Sequence, residues 1–253
     1  MSATTLALVG ATGGAGTTRT AIELAAIGVR DGCDVAVIDA AFATQGLSEY
    51  VSGRIGTDLT ALVTDRTDAS LTAATYSANI ARNADTPARA DVVPVRAPFE
   101  RVARAKTVEA ARELEARIEE AESGYDAVIV DVSPVASNEA VAAITTVDRV
   151  VGVRPATPHG RDAIQRLRGR IADVGAGVDA AVAVARDGSE TDTDAAADAD
   201  LLVPPTDPSV SAAPTAAAGD GDYAEAVADA YAELFGTSVG VSFESEGLVD
   251  RLR

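Results

Sequence analysis

Residues 10–20 read GATGGAGTTRT, a run in which Gly13, Gly14 and Gly16 separate an apolar segment (residues 6–9, LALV) from a stretch with Ile22, Leu24, Ala25, Ile27 and Val29 at helical spacing. A glycine turn between a strand and a helix has a specific chemical use. With no side chains in the way, the backbone passes close to an anion, and its amide hydrogens and the positive helix end point at a phosphate. Thr17 and Thr18 add hydroxyls, but the turn contains no lysine, so it lacks the full charge that usually completes such a cradle. Two further residues have chemically suggestive positions. Asp39 closes the apolar run at residues 34–39 (DVAVID), and Asp131 closes the run at residues 125–131 (YDAVIVD). A strand-end carboxylate can hold a cation or a hydroxyl, or simply cap a loop.

The elements that must position these groups alternate along the chain. Continuous apolar runs such as residues 34–39 are expected of strands buried on both faces of a parallel sheet. Further strands are expected at residues 90–97, 125–131, 149–154, 179–186 and 201–203, with Pro94 marking a bend or an edge in the first of these. Helices are expected over residues 100–123, 162–174 and 223–235. The sequence therefore predicts an α/β fold: a single domain over residues 1–235, with a mostly parallel twisted sheet of about seven strands and helices on both faces. Such sheets bind ligands at the carboxyl ends of their strands. Residues 187–200 and 207–222, acidic or rich in small residues, are expected to be mobile loops, and residues 236–253 a tail.

Composition narrows the possibilities. The 253 residues carry a formal charge of −18, and all but one of the 21 basic residues are arginine, Lys106 being the exception. An acidic, lysine-poor, alanine-rich chain resembles proteins of salt-in halophiles, haloarchaea among them, whose carboxylates keep the surface hydrated. It also argues against direct DNA binding, which needs clustered basic groups. One cysteine, Cys33, and one histidine, His159, exclude an internal disulfide and a Cys/His zinc site. No apolar run approaches the ~20 residues needed to cross a bilayer, and the N-terminus has no signal pattern, so a cytoplasmic location is expected.

The turn alone fits two patterns. As a phosphate-binding loop it places Gly16 at the second glycine, Thr17 at the lysine and Thr18 at the magnesium-binding hydroxyl. As a dinucleotide fingerprint it is similar to the TGxxGxG turn of short-chain dehydrogenases, with Asp39 placed to hold a ribose hydroxyl. The latter reading lacks its usual Tyr-x-x-x-Lys pair, because Val102 stands four residues before the only lysine. An atypical NAD(P)-binding protein is the remaining form of it.

Five segments in order favour the first pattern. Residues 12–19 (TGGAGTTR) fall without a gap on the KGGxGKT[ST] loop of the MinD/ParA family of deviant P-loop ATPases. Residues 37–48 (VIDAAFATQGLS) resemble that family's switch segment, and residues 125–134 (YDAVIVDVSP) its Walker B strand. Residues 147–164 are similar to the following strand and loop, and residues 203–210 (VPPTDPSV) to the late loop that lies against the base.

The resemblance implies roles for individual residues. Gly13, Gly14, Ala15, Gly16, Thr17 and Thr18 would cradle the phosphates of ATP or ADP, with Pro204 and Asp207 near the base. Thr18, Asp39 and Asp131 would hold Mg²⁺, the two acids also being the catalytic candidates. The chain departs from the family at three positions: Thr12 and Thr17 replace its two lysines, and Ala41 replaces its second switch acid. The resemblance thus implies a nucleotide-binding or pseudo-ATPase protein acting as regulator or scaffold in chromosome partitioning, division-site placement or the placement of surface structures. A slow ATP-dependent switch is the alternative. Partners would be a second copy or an active relative. Residues 247–253 (GLVDRLR) resemble a truncated membrane-targeting helix, with Leu248, Val249 and Leu252 on one face, which implies weak peripheral contact with the inner face of the membrane.

Overall fold

The computed structural model describes residues 3–80, 87–186, 198–205 and 219–243. Eight strands form one sheet. β1 (Thr4–Gly10), β2 (Val35–Ala40), β5 (Ala127–Val132) and β6 (Arg149–Pro155) occupy its middle. β4 (Ala90–Val93) and β3 (Tyr76–Ser77) lie to one side, β7 (Ala180–Val184) and β8 (Leu201–Val203) to the other, giving the order β3-β4-β2-β5-β1-β6-β7-β8. Only the β3–β4 pair is antiparallel. The α/β fold is the one expected, with β3 the addition to the expected seven strands. Two residues are too few for alternation to reveal a strand.

Side chains alternate between the two faces of the sheet. Ala7, Val9, Ile38, Val128 and Val130 face one core, together with α4 (Val108–Glu122), α5 (Asn138–Thr146) and α6 (Pro158–Asp173). Leu6, Leu8, Val37, Ile129 and Val151 face the other, under α1 (Thr17–Arg30) and the C-terminal helix α7 (Asp222–Phe235). Burial on both faces explains why these strands read as unbroken apolar runs. Each fully buried Leu, Ile or Val contributes about 1.5–3 kcal/mol. α1 is enclosed between sheet and α7, and every residue from Thr20 to Val29 is buried.

Several expected boundaries move for local reasons. The single helix expected over residues 100–123 is two, α3 (Phe99–Arg104) and α4, because Thr107 adopts an extended backbone and its hydroxyl accepts from the Ala110 amide, capping a new N-terminus. β4 stops at Val93. Pro94 has no amide to continue the ladder, and its carbonyl accepts instead from Leu59, which opens the short helix α2 (Leu59–Leu62). α5 has no counterpart in the expectations. Of the tracts expected to be mobile loops, residues 187–197 and 207–218 lie outside the described residues, as does the tail segment 247–253. Among the described residues no helix is long and apolar enough to cross a membrane.

β1 leads through α1 to β2 on one side, while β6 flanks β1 on the other. The carboxyl ends of β1, β2 and β5 therefore face the crevice in which open α/β sheets bind ligands.

Candidate functional site: a glycine-turn cleft

The turn after β1 forms the floor of a cleft of about 280 Å³, whose lining includes Thr12 to Arg19 in sequence, Ala41, Thr44 and Gly46 from the segment after β2, Asp131 to Pro134 from β5, and Arg186. Gly16 caps α1 with φ 96, a left-handed backbone that costs a glycine little. No described side chain caps the helix, and no acid stands in its first turn, so the amides and dipole of the first turn remain available to an anion.

Thr18 and Asp131 meet in the cleft: the Thr18 hydroxyl donates to Asp131 Oδ2 at 2.6 Å. Asp39 lies behind them, in register with Asp131 across β2 and β5 and fully buried. Its two oxygens accept from backbone amides, Oδ1 from Ala41 at 3.0 Å and Oδ2 from Val95 at 3.2 Å. Burial, and then the nearby Asp131 charge, push the Asp39 carboxyl well above the ordinary carboxylate range against the pull of those amides. Burial also raises Asp131, opposed by the Thr18 hydroxyl. No salt bridge among the described residues involves either acid. Two carboxyls held close in a dry site, beside a hydroxyl and an anion cradle, form an oxygen donor set suited to Mg²⁺, which keeps several waters and shares its shell with phosphate oxygens. Thr18 and Asp131 would contact the ion, with Asp39 beside Asp131 on the next strand.

The remaining expected residues divide. Gly13, Gly14, Ala15, Gly16 and Thr17 line the cleft together with Thr12 and Ala41. Ala41 brings only a methyl group to the lining. Pro204 follows β8 at the far edge of the sheet and is not part of the lining, while Asp207 lies outside the described residues. Lys106 is remote from the cleft and pairs with buried Glu139 at 3.3 Å.

Two arginines also line the cleft: Arg19, at the end of the matched loop, and Arg186, which no local pattern singles out. Arg19 turns along α1 to Glu23, with Nε and Nη2 at 2.6 and 2.5 Å from Oε1. Arg186 follows β7, and its Nη2 donates to the Gly14 carbonyl of the turn. Its approach depends on β7 lying two places from β1, a relationship between residues 172 positions apart.

Sheet order, glycine turn and strand-end acids together define a P-loop α/β protein. The family model described as AAA domain matches residues 3–181, so the chain belongs to that family. A search of curated proteins finds no match. Among solved structures, the septum site-determining protein MinD with Mg-ADP from Pyrococcus horikoshii is similar at a TM-score of 0.71 and 18% identity, over 91% of this chain and 95% of that one. A ParA family ATPase from Chlorobium tepidum gives 0.71 and 17%, over 91% and 99%. The McdA–ATP complex from Cyanothece gives 0.70 and 17%, over 95% and 99%. At these identities the likeness establishes the MinD/ParA fold.

Proposed function

We propose that this chain binds ATP or ADP with Mg²⁺ in the glycine-turn cleft and acts as a regulator or scaffold in positioning or partitioning cellular structures, with little or no ATP hydrolysis. The observation that carries this reading is the composition of one cleft: an uncapped helix terminus and a Thr18–Asp131 contact are present, and the lining includes Thr12, Thr17 and Ala41, at positions that the sequence resemblance assigns to two lysines and an acid. Nucleotide binding draws on the fold and on the ligands bound in two similar structures, Mg-ADP in the Pyrococcus MinD and ATP in an aspartate-to-alanine variant of McdA. A charge-assisted hydrogen bond contributes about 1.5–3 kcal/mol, so a missing lysine weakens binding by ~10–150-fold and leaves the backbone cradle. Hydrolysis suffers more, since each lost electrostatic stabiliser of the transition state costs ~10²–10³ in rate. Thr18 and Asp131 would hold the ion, which would supply positive charge to the phosphates, and Asp39 braces both the segment at Ala41 and the segment at Val95. A protein partner, a second copy or an active relative, would then read the bound state.

Titration of ATP, ADP, NADH and NADPH at high salt with Mg²⁺, on the wild type and on a Thr12→Lys/Thr17→Lys double variant, tests this. The wild type should bind ATP or ADP and release phosphate very slowly, and the double variant should bind ATP more tightly. Robust hydrolysis by the wild type would refute the pseudo-ATPase reading, and tight NADPH binding would sink the nucleoside-triphosphate reading.

A further inference from the structure

We propose that Arg186 supplies, from the end of β7, the positive charge to bound phosphate that the glycine turn lacks. The inference rests on the reading of the cleft as a nucleotide site and names the residue that makes it workable. β7 is held against the turn by packing: a Cβ built on Gly16 would sit 3.5 Å from Val184 Cγ1, two residues before Arg186. Arg186 is thereby delivered to the mouth of the cradle, where it lines the cleft and donates to the Gly14 carbonyl. A guanidinium presents its N–H donors in a planar fork that matches phosphate oxygens, so a side chain already at the turn can reach a bound phosphate.

The other cationic side chain in the lining, Arg19, is directed along α1. It pairs with Glu23, whose side chain is fully buried, so turning Arg19 to the phosphate would break an ion pair held partly away from solvent. Thr17 and Thr12 bring no charge. Arg186 thus meets three conditions together: it lines the cleft, contacts the turn and carries a permanent charge. Its position also explains how a turn can dispense with a lysine, because the charge arrives from a different strand and leaves the helix entrance unchanged. The ligands favoured by such a contact carry at least a diphosphate.

The test compares wild type, Arg186→Ala, Arg186→Lys and Thr17→Lys/Arg186→Ala by calorimetric titration with ATP, ADP, inorganic pyrophosphate and adenosine. Arg186→Ala should weaken ATP, ADP and pyrophosphate by about 10- to 100-fold and leave adenosine unchanged. Arg186→Lys should fall between the two, and the added Thr17→Lys should restore affinity in the alanine background. Because Arg186 is exposed, the ligand-free melting temperatures should coincide. Equal ATP affinity in Arg186→Ala and wild type would overturn the assignment while leaving the nucleotide reading intact. So would an equal loss for adenosine and ATP, which would mean that Arg186 only pins the turn. A wild type that binds neither ATP nor pyrophosphate would overturn the nucleotide reading and this assignment with it.

Discussion

The Thr18 hydroxyl donates a hydrogen bond to Asp131 Oδ2 at 2.6 Å, tying the first turn of α1 to the end of β5 before any ligand arrives. The bond holds two oxygen donors together in the cleft, where both would contact a bound Mg²⁺.

Thr18→Ala should therefore abolish the Mg²⁺ dependence of nucleotide binding. In the wild type, ATP affinity should rise at least ~10-fold when Mg²⁺ replaces a chelator, the gain expected of one or two charge-assisted contacts. In the variant the two titrations should superimpose, while Thr18→Ser should keep the dependence. Without ligand, Thr18→Ala leaves Asp131 short of a donor and should cost about 1–2 kcal/mol in urea unfolding.

The buried acids make metal-free stability depend on pH. Both carboxyls are raised above the ordinary range, Asp39 by burial and by the Asp131 charge, Asp131 by burial. In an unfolded chain an aspartate ionises near pH ~4. Between that pH and the raised native values the folded state holds protons that the unfolded state has released, so stability falls as pH rises through this window and levels off above it. Each unit of the rise is worth about 1.4 kcal/mol. Urea midpoints in chelator and high salt should therefore drop from pH 5 to pH 8, and Asp39→Asn should flatten the drop. Identical pH slopes in wild type and variant would refute the assignment of this dependence to the pair.

The central strands were legible because burial on both faces writes itself as an apolar run, and the runs of β2 and β5 carried near their ends the acids that the fold brings to the crevice. The Ala-rich segment of α5 offered no such contrast, and the break before α4 turned on the hydroxyl of Thr107 rather than on a glycine or proline. The local part of the site, from Thr12 to Thr18, could be read directly. Arg186 could not, because its contact with Gly14 depends on strand order, which single-strand patterns do not encode.

The glycines of the turn differ in what they tolerate. Gly16 has φ 96 and Gly14 φ 69, whereas Gly13 is not in the left-handed region and a Cβ there would meet nothing within 4 Å. Gly16→Ala should lower stability by about 1–2 kcal/mol, the cost of a left-handed L-residue, and weaken nucleotide binding by displacing the first amides of α1. Gly13→Ala should stay within about 0.5 kcal/mol of the wild type, as a surface change without a contact. Thermal unfolding of the two variants side by side measures the difference, and equal melting temperatures would contradict the backbone argument.

Gln45 joins two segments at the cleft margin. It has φ 55, uncommon outside glycine, and its side chain makes a double clamp on Ala97, accepting from the amide and donating to the carbonyl, each at 3.1 Å. The segment from Ala41 to Gly46 borders the cleft, whereas Ala97 leads into α3 and the exposed ring of Phe99. The clamp is thus a physical route by which ordering of residues 41–46 around a ligand reaches a surface segment. Gln45→Ala should speed hydrogen exchange at the Ala97 amide by about 5–30-fold, the equivalent of losing about 1–2 kcal/mol of local hydrogen bonding. Adding ATP and Mg²⁺ should slow exchange at Ala97 in the wild type and leave it fast in the variant. If the nucleotide protects Ala97 equally in both, the clamp does not transmit the bound state, and residues 95–98 respond to the cleft by way of Asp39 and the Val95 amide instead.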